Sequence, residues 1–171
     1  QVAAIMLEAL QGEGGACPGD LAYFRRARQL CDEKGILLIL DEVQVGMGRT
    51  GHLWGYENLD IEPDIFTSAK GLGGGIPIGA LLCKSFCDVF QPGDHASTFG
   101  GNPFVCKVAL TVCETLEAEN ILANVQQRGE QLRAGLQKLV NQYPNLLDQV
   151  RGWGLINGLV LKPEASLTSI D

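Results

Sequence analysis

Two stretches of this chain carry side chains able to do chemistry. In Ile36-Leu-Leu-Ile-Leu-Asp41-Glu42, a run of large aliphatic residues leads into two carboxylates. Such an unbroken run reads as a strand buried on both faces, as in a parallel sheet. Ligands of open α/β sheets sit beyond the carboxyl ends of these strands. An acid held there is costly unless something positive meets it. The second stretch is Ser68-Ala-Lys70-Gly71, at the end of another short strand, Asp64 to Ser68. Small neighbours leave no bulk around the Lys70 ammonium, and a lysine stripped of water can attack a carbonyl to form a Schiff base. Asp41 and Lys70 on the ends of two strands suit pyridoxal phosphate. That group needs a lysine for its aldehyde and an acid to keep its ring nitrogen protonated.

Other readings compete. Gly46-x-Gly48-x-x-Gly51 matches the dinucleotide fingerprint letter by letter, but Glu42 to Val45 separate it from the strand and no helical period follows Gly51. Leu37 to Glu42 also imitates the acidic strand end of a magnesium-dependent ATPase. The Gly-Lys-Ser/Thr phosphate loop needed for that chemistry does not occur in the chain. The bland alternatives are a solvated surface lysine at position 70 and a plain turn at Gln11-Gly-Glu-Gly-Gly15 with a solvated Glu13.

The surrounding elements must position these groups. Val2 to Leu7 reads as a strand. Asp20 caps a helix whose Leu21, Phe24, Ala27 and Cys31 share one face, and Gly35 ends it. Strand, helix and buried strand then form a βαβ unit with parallel strands. Ile78 to Cys83 is a further strand, and Pro92 to Gly101 a loop of small polar residues. A helix from Pro103 turns Val105, Val108, Val112 and Leu116 to the core. A second, from about Ile121 to Tyr143, carries Val125, Leu132, Leu136 and Leu139 as its apolar stripe. Arg151 to Leu161 reads as one strand. No internal repeat or low-complexity tract interrupts this order.

Bulk properties narrow the partners. A net charge of -7 argues against nucleic acid, which needs a basic face. No apolar run approaches the roughly 18 residues of a transmembrane helix. The opening residues carry neither an initiator methionine nor a basic signal-peptide region, and read as the middle of a strand in a longer protein. Six cysteines include no Cys-x-x-Cys pair, which points to free, mostly buried thiols in a reducing compartment and to no metal site.

Asp41-Glu-Val-Gln-Val-Gly-Met-Gly-Arg-Thr-Gly51, together with Ser68-Ala-Lys70-Gly-Leu-Gly-Gly-Gly75, resembles the signature of the class III pyridoxal-phosphate aminotransferases. Gln11 to Gly15, Ser97-Thr-Phe-Gly-Gly-Asn-Pro103 and Arg151-Gly-Trp-Gly-Leu155 are similar to further motifs of that family, in family order from residue 1 to about 161. The chain departs from the pattern at Ala9, where many members have proline.

The resemblance implies an α/β chain of aminotransferase fold type I. Residues 1–119 would belong to the large, mainly parallel-sheet domain, 120–144 to a connecting helix, and 145–171 to the start of the small C-terminal α+β domain. It implies pyridoxal 5'-phosphate as cofactor, with Asp41, Glu42, Val43, Gln44, Lys70 and Thr98 binding it. Lys70 would be the catalytic residue that holds the aldehyde carbon and later moves the proton. Asp41 would pair with the ring nitrogen, Val43 pack on the ring face, and Gln44 lie by the phenolic oxygen. Thr98 would bind the phosphate, and Ser97 lie by the substrate, of a neighbouring subunit in a homodimer. Glu13 would help select the amino group. The implied reaction moves the δ-amino group of N2-acetylornithine to 2-oxoglutarate, in the cytoplasm, as a step of arginine biosynthesis. Ornithine, succinylornithine and 4-aminobutyrate are alternative donors. The family's phosphate loop, stacking aromatic and substrate-carboxylate arginine lie outside this stretch, so the chain alone is expected to lack robust activity.

Overall fold

The computed structural model describes residues 2–165. Strand β1 (Ala4–Glu8) leads into a tight loop braced by two-residue strands β2 (Leu10–Gln11) and β3 (Cys17–Pro18). Helix α1 (Leu21–Lys34) then starts where Asp20 accepts the Tyr23 N–H at 2.7 Å, and stops at Gly35 with φ 62°. Strand β4 (Leu37–Asp41) runs parallel to β1, pairing Ala4 with Leu37 through to Glu8 with Asp41. Strand β5 (Ile65–Ser68) pairs parallel on its other side, and β6 (Ala80–Cys83) closes the sheet antiparallel, in the order β1-β4-β5-β6. The expected βαβ unit is present.

Alternation along β4 separates two faces. Leu38 and Leu40 are fully buried and pack with Phe24 and Cys31 of α1, with Ala9 and with Leu59. Each such leucine contributes roughly 2 kcal/mol through burial. Leu21, placed with that stripe by its spacing, is 40% exposed. The opposite face, with Leu37, Ile39 and Asp41, is only half-buried. Beneath the sheet end Asp64 is buried, accepting from the Leu38 N–H and from Arg28, each at 2.8 Å. Although burial pushes its carboxyl up, the Leu38 N–H and the Arg28 and Lys84 charges hold it below the ordinary value.

Helix α2 (Pro103–Ala118) is capped by Asn102, which accepts the Val105 N–H, and buries Ala109 amid half-buried Val105, Val108, Val112 and Leu116. Helix α3 (Ile121–Gln142) is rotated from its expected stripe. Val125, Gly129 and Val140 are buried, whereas Leu132 and Leu139 are each 40% exposed. The cause is the partner it meets. Gly129 lies against the Gly154 backbone and Arg133 donates to the Gly152 carbonyl, so a row including a glycine and an arginine takes the inner face.

That partner is also a correction. The single strand expected at Arg151 to Leu161 is a hairpin of β7 (Leu147–Trp153) and β8 (Ile156–Leu161). Gly152 at φ 123° and Gly154 at φ 49° permit the reversal, and Asn157 donates to the Gly154 carbonyl across it. The cysteines are free, as expected, but only Cys31 is buried; Cys83, Cys106 and Cys113 are exposed. No helix among the described residues is long and apolar enough to cross a membrane, and no cluster of side chains there could hold a metal ion.

Candidate active site

The site begins at the carboxyl ends of β4 and β5. Asp41 pairs in register with Thr67 and with Glu8. Residues paired across parallel strands point to the same face, so Glu8, Asp41 and Thr67 form a row on the face opposite α1. One Asp41 oxygen accepts the Val43 N–H at 2.9 Å. Its other oxygen meets no hydrogen-bond donor among the described residues. Beside it the Thr67 hydroxyl is buried without a partner. An acid and a hydroxyl left open at a sheet end suit a cationic N–H donor such as a protonated ring nitrogen. Spacing had singled out Asp41 but not Thr67; the parallel register is what reveals the hydroxyl.

Lys70 follows β5 by two residues and opens the short 3₁₀ turn Lys70–Gly73. Its φ is 43°, in the left-handed region that non-glycine residues seldom occupy. Such a conformation costs of order 1–3 kcal/mol and persists where surrounding contacts enforce it. The side chain is exposed, and no ion pair of the described residues uses it. Asp41 and Lys70 thus stand at the same end of adjacent strands.

Gln44 and Glu13 join from two loops. The Gln44 side-chain oxygen is buried and unpaired, directly over Gly12, where any Cβ would overlap it. The Gln11–Gly15 loop therefore packs against the residue three beyond Asp41. Gly15 and Ala16 N–H groups close its turn on the Gly12 carbonyl at 3.0 and 3.1 Å, and the Glu8 carboxylate accepts the Gly12 N–H at 3.0 Å. Glu13 is exposed at the tip, and Val43 is half-buried beside Asp41. A cleft of about 490 Å³ opens next to Gln44, bordered by Arg49, Arg151 and Asn157. Both arginines fall within motifs quoted above, Arg49 in Asp41–Gly51 and Arg151 in Arg151–Leu155, but neither was given a role there.

Glu42, grouped in sequence with the cofactor ligands, is set apart. It follows the Leu38 and Leu40 parity, is 1% exposed, and accepts the Gly55 N–H at 2.5 Å and the Tyr56 N–H at 2.9 Å. Burial pushes its carboxyl up to about 7; the two N–H donors oppose this, and the Glu57 and Asp41 charges add to it. Both oxygens are occupied by backbone, so Glu42 anchors the loop beyond the site instead of facing the open acid. Ser97 and Thr98 lie in the exposed loop before α2, where Ser97 accepts the Gly100 N–H at 2.9 Å. No hydrogen bond among the described residues joins them to Asp41, Lys70 or Gln44.

The residues present fit pyridoxal phosphate on three counts: an open carboxylate for a ring nitrogen, an unpaired amide oxygen for a donor at the ring edge, and a lysine held in a strained turn. The comparisons with known proteins agree in kind. The sequence model of the family described as Aminotransferase class-III matches residues 1–169. An acetylornithine aminotransferase of Thermosynechococcus vestitus is 71% identical over the whole chain, and one of Nostoc sp. is 70% identical. The chain spans only 42% and 40% of the lengths of these two relatives. Among solved structures, an ornithine aminotransferase of Toxoplasma gondii superposes with a TM-score of 0.87 at 37% identity, covering 93% of this chain and 38% of its own. An acetylornithine aminotransferase of Elizabethkingia anophelis gives 0.86 at 35% identity, covering 93% and 40%.

Proposed function

The chain belongs to the class III aminotransferases, and from that premise we propose that it forms the lysine-bearing part of an enzyme moving the δ-amino group of N2-acetylornithine to 2-oxoglutarate. The observation that carries this reading is the placement of Asp41 and Lys70 at one end of two adjacent parallel strands. Family membership implies pyridoxal phosphate as the cofactor. When bound, it supplies an aldehyde for an amine and a ring that takes up the electrons released at the amine-bearing carbon.

The chain's own residues do the rest. Asp41 would offer its unpaired oxygen to the ring nitrogen and keep that nitrogen protonated. Lys70 Nζ would hold the group's aldehyde carbon and, as a free amine, would move the proton between the amine-bearing carbon and the position next to it. Val43 would pack on the ring, Gln44 would lie by the ring's oxygen, and Glu13 would govern which amino group is admitted. Ser97 and Thr98 would act in the site of a second subunit, Thr98 at the cofactor's phosphate. The homodimer is supported by the apolar surface flanking them: Phe86, Phe90, Phe99 and Phe104 are all more than 60% exposed. We assign residues 1–119 to the large domain, 120–144 to a connecting helix and 145–171 to the small domain, of which 166–171 lie outside the described residues. Free cysteines suit a reducing, cytoplasmic setting. Because one site serves both substrates in turn, kinetics are ping-pong.

In the full-length protein, Lys70→Ala abolishes transamination and the visible absorption band of the lysine-bound cofactor. Retention of that band refutes the assignment. Ornithine is the second donor to weigh, given the likeness to ornithine aminotransferase structures; comparing kcat/KM for acetylated and free ornithine separates the two.

A further inference from the structure

Arg151 takes no part in the chemistry proposed above, yet it reaches the loop that carries Glu13. Its Nε–H donates to the Gly15 carbonyl at 2.6 Å, across 136 residues of sequence. Gly15 sits at φ 97°, and a Cβ on it would run into the same guanidinium. On the neighbouring strand a Cβ at Gly158 would lie 2.9 Å from the Gly15 carbonyl oxygen. Apolar packing backs the contact, with Trp153 and Ile156 resting on Leu10, Ala16 and Val45. The same hairpin holds the loop beyond Gln44 as well, since the Leu155 N–H donates to the Arg49 carbonyl at 3.0 Å. One hairpin therefore braces both loops that meet where Gly12 lies under Gln44.

The turn's other hydrogen bonds among the described residues are local: two to the Gly12 carbonyl, one from the Gly12 N–H to Glu8, and those of the Cys17 thiol to the Gly14 and Gly15 carbonyls. The Arg151 bond is charge-assisted and long-range, so it fixes the turn relative to the sheet end instead of merely closing it. We propose that Arg151 is a positioning residue that sets where Glu13 stands relative to Gln44, and thereby how well the site discriminates a terminal amine from an α-amine. This rests on the transaminase reading of Glu13.

The test uses the full-length holoenzyme and single-turnover half-reactions with N-acetylornithine and with glutamate. Arg151→Ala changes the ratio of the two kcat/KM values about tenfold. Arg151→Lys, which keeps a cationic donor, restores most of the ratio. In a Glu13→Gln background Arg151→Ala leaves the ratio unchanged, because the two act through one element. Independently of activity, hydrogen exchange at residues 12–16 rises about tenfold in Arg151→Ala, in the cofactor-free protein too. Equal loss in both half-reactions, additivity with Glu13→Gln, or unchanged exchange overturns the proposal. If Arg151→Ala does not fold, Arg151→Gln and Arg151→Lys carry the same measurements. If the wild type turns over neither amine, the transaminase reading fails, while the exchange result still decides whether Arg151 holds the loop.

Discussion

Replacing Glu42 with glutamine tests whether the carboxylate next to Asp41 is an anchor that dislikes its own charge. Glu42 is 1% exposed, and its carboxyl is pushed from an ordinary 4.5 up to about 7. Between those values the folded protein keeps a proton that the unfolded chain has lost. The stabilisation is therefore fully present below pH 4.5 and is lost as the pH rises through about 7. Each tenfold difference in proton affinity is worth about 1.4 kcal/mol, so the wild type loses about 3 kcal/mol from this group across that window. Glutamine cannot titrate. Its oxygen keeps one of the Gly55 and Tyr56 N–H bonds, but its amide strands the other donor, costing about 1–3 kcal/mol. Glu42→Gln should be less stable than wild type near pH 5 and about equal, or slightly more stable, near pH 8. Urea midpoints of both proteins across this range provide the comparison, with Trp54 fluorescence as a reporter, since its ring lies 4.7 Å from Phe66 beside the anchored turn. Other carboxylates cancel in the difference. A difference that stays constant with pH, or a wild type that gains on the variant as pH rises, refutes the argument.

Asp64→Asn should cost about 3 kcal/mol in urea unfolding, because it leaves the part-buried Arg28 short of its partner and weakens the bond to the Leu38 N–H. The wild-type contribution of Asp64 is present above its ordinary 3.8 and is lost as the pH falls through its lowered value, so the two proteins should converge in acid. Gly12→Ala should drive the Gln44 side chain out of its place, lowering kcat/KM about tenfold or more while shifting the melting temperature little. Two glycines of α3 should behave oppositely in thermal unfolding. Gly135→Ala, with nothing near its Cβ, should stabilise by about 0.5–1 kcal/mol, whereas Gly129→Ala should destabilise by about 1–2 kcal/mol by pressing on the Gly154 backbone.

What this sequence determines by itself is what local rules decide. Asp20 and Gly35 delimit α1 through a side-chain cap and a left-handed residue, and the unbroken aliphatic run of β4 marks a central parallel strand. Asp41 at its end and Lys70 after β5 were legible as a pair because residue type and strand end suffice to name them. Only the tertiary structure decided the rest, because those outcomes depend on partners remote in sequence. Helix α3 buries Gly129 and half-buries Arg133 in preference to Leu132 because a hairpin turn, not a flat apolar face, lies against it. Glu42 turns from the site because two amides more than ten residues away take both its oxygens. Strand parity exposes the open Thr67 hydroxyl beside Asp41 only once the β4–β5 register is known. Lys70's left-handed backbone and Arg151's reach to Gly15 follow from packing, which residue types alone do not encode.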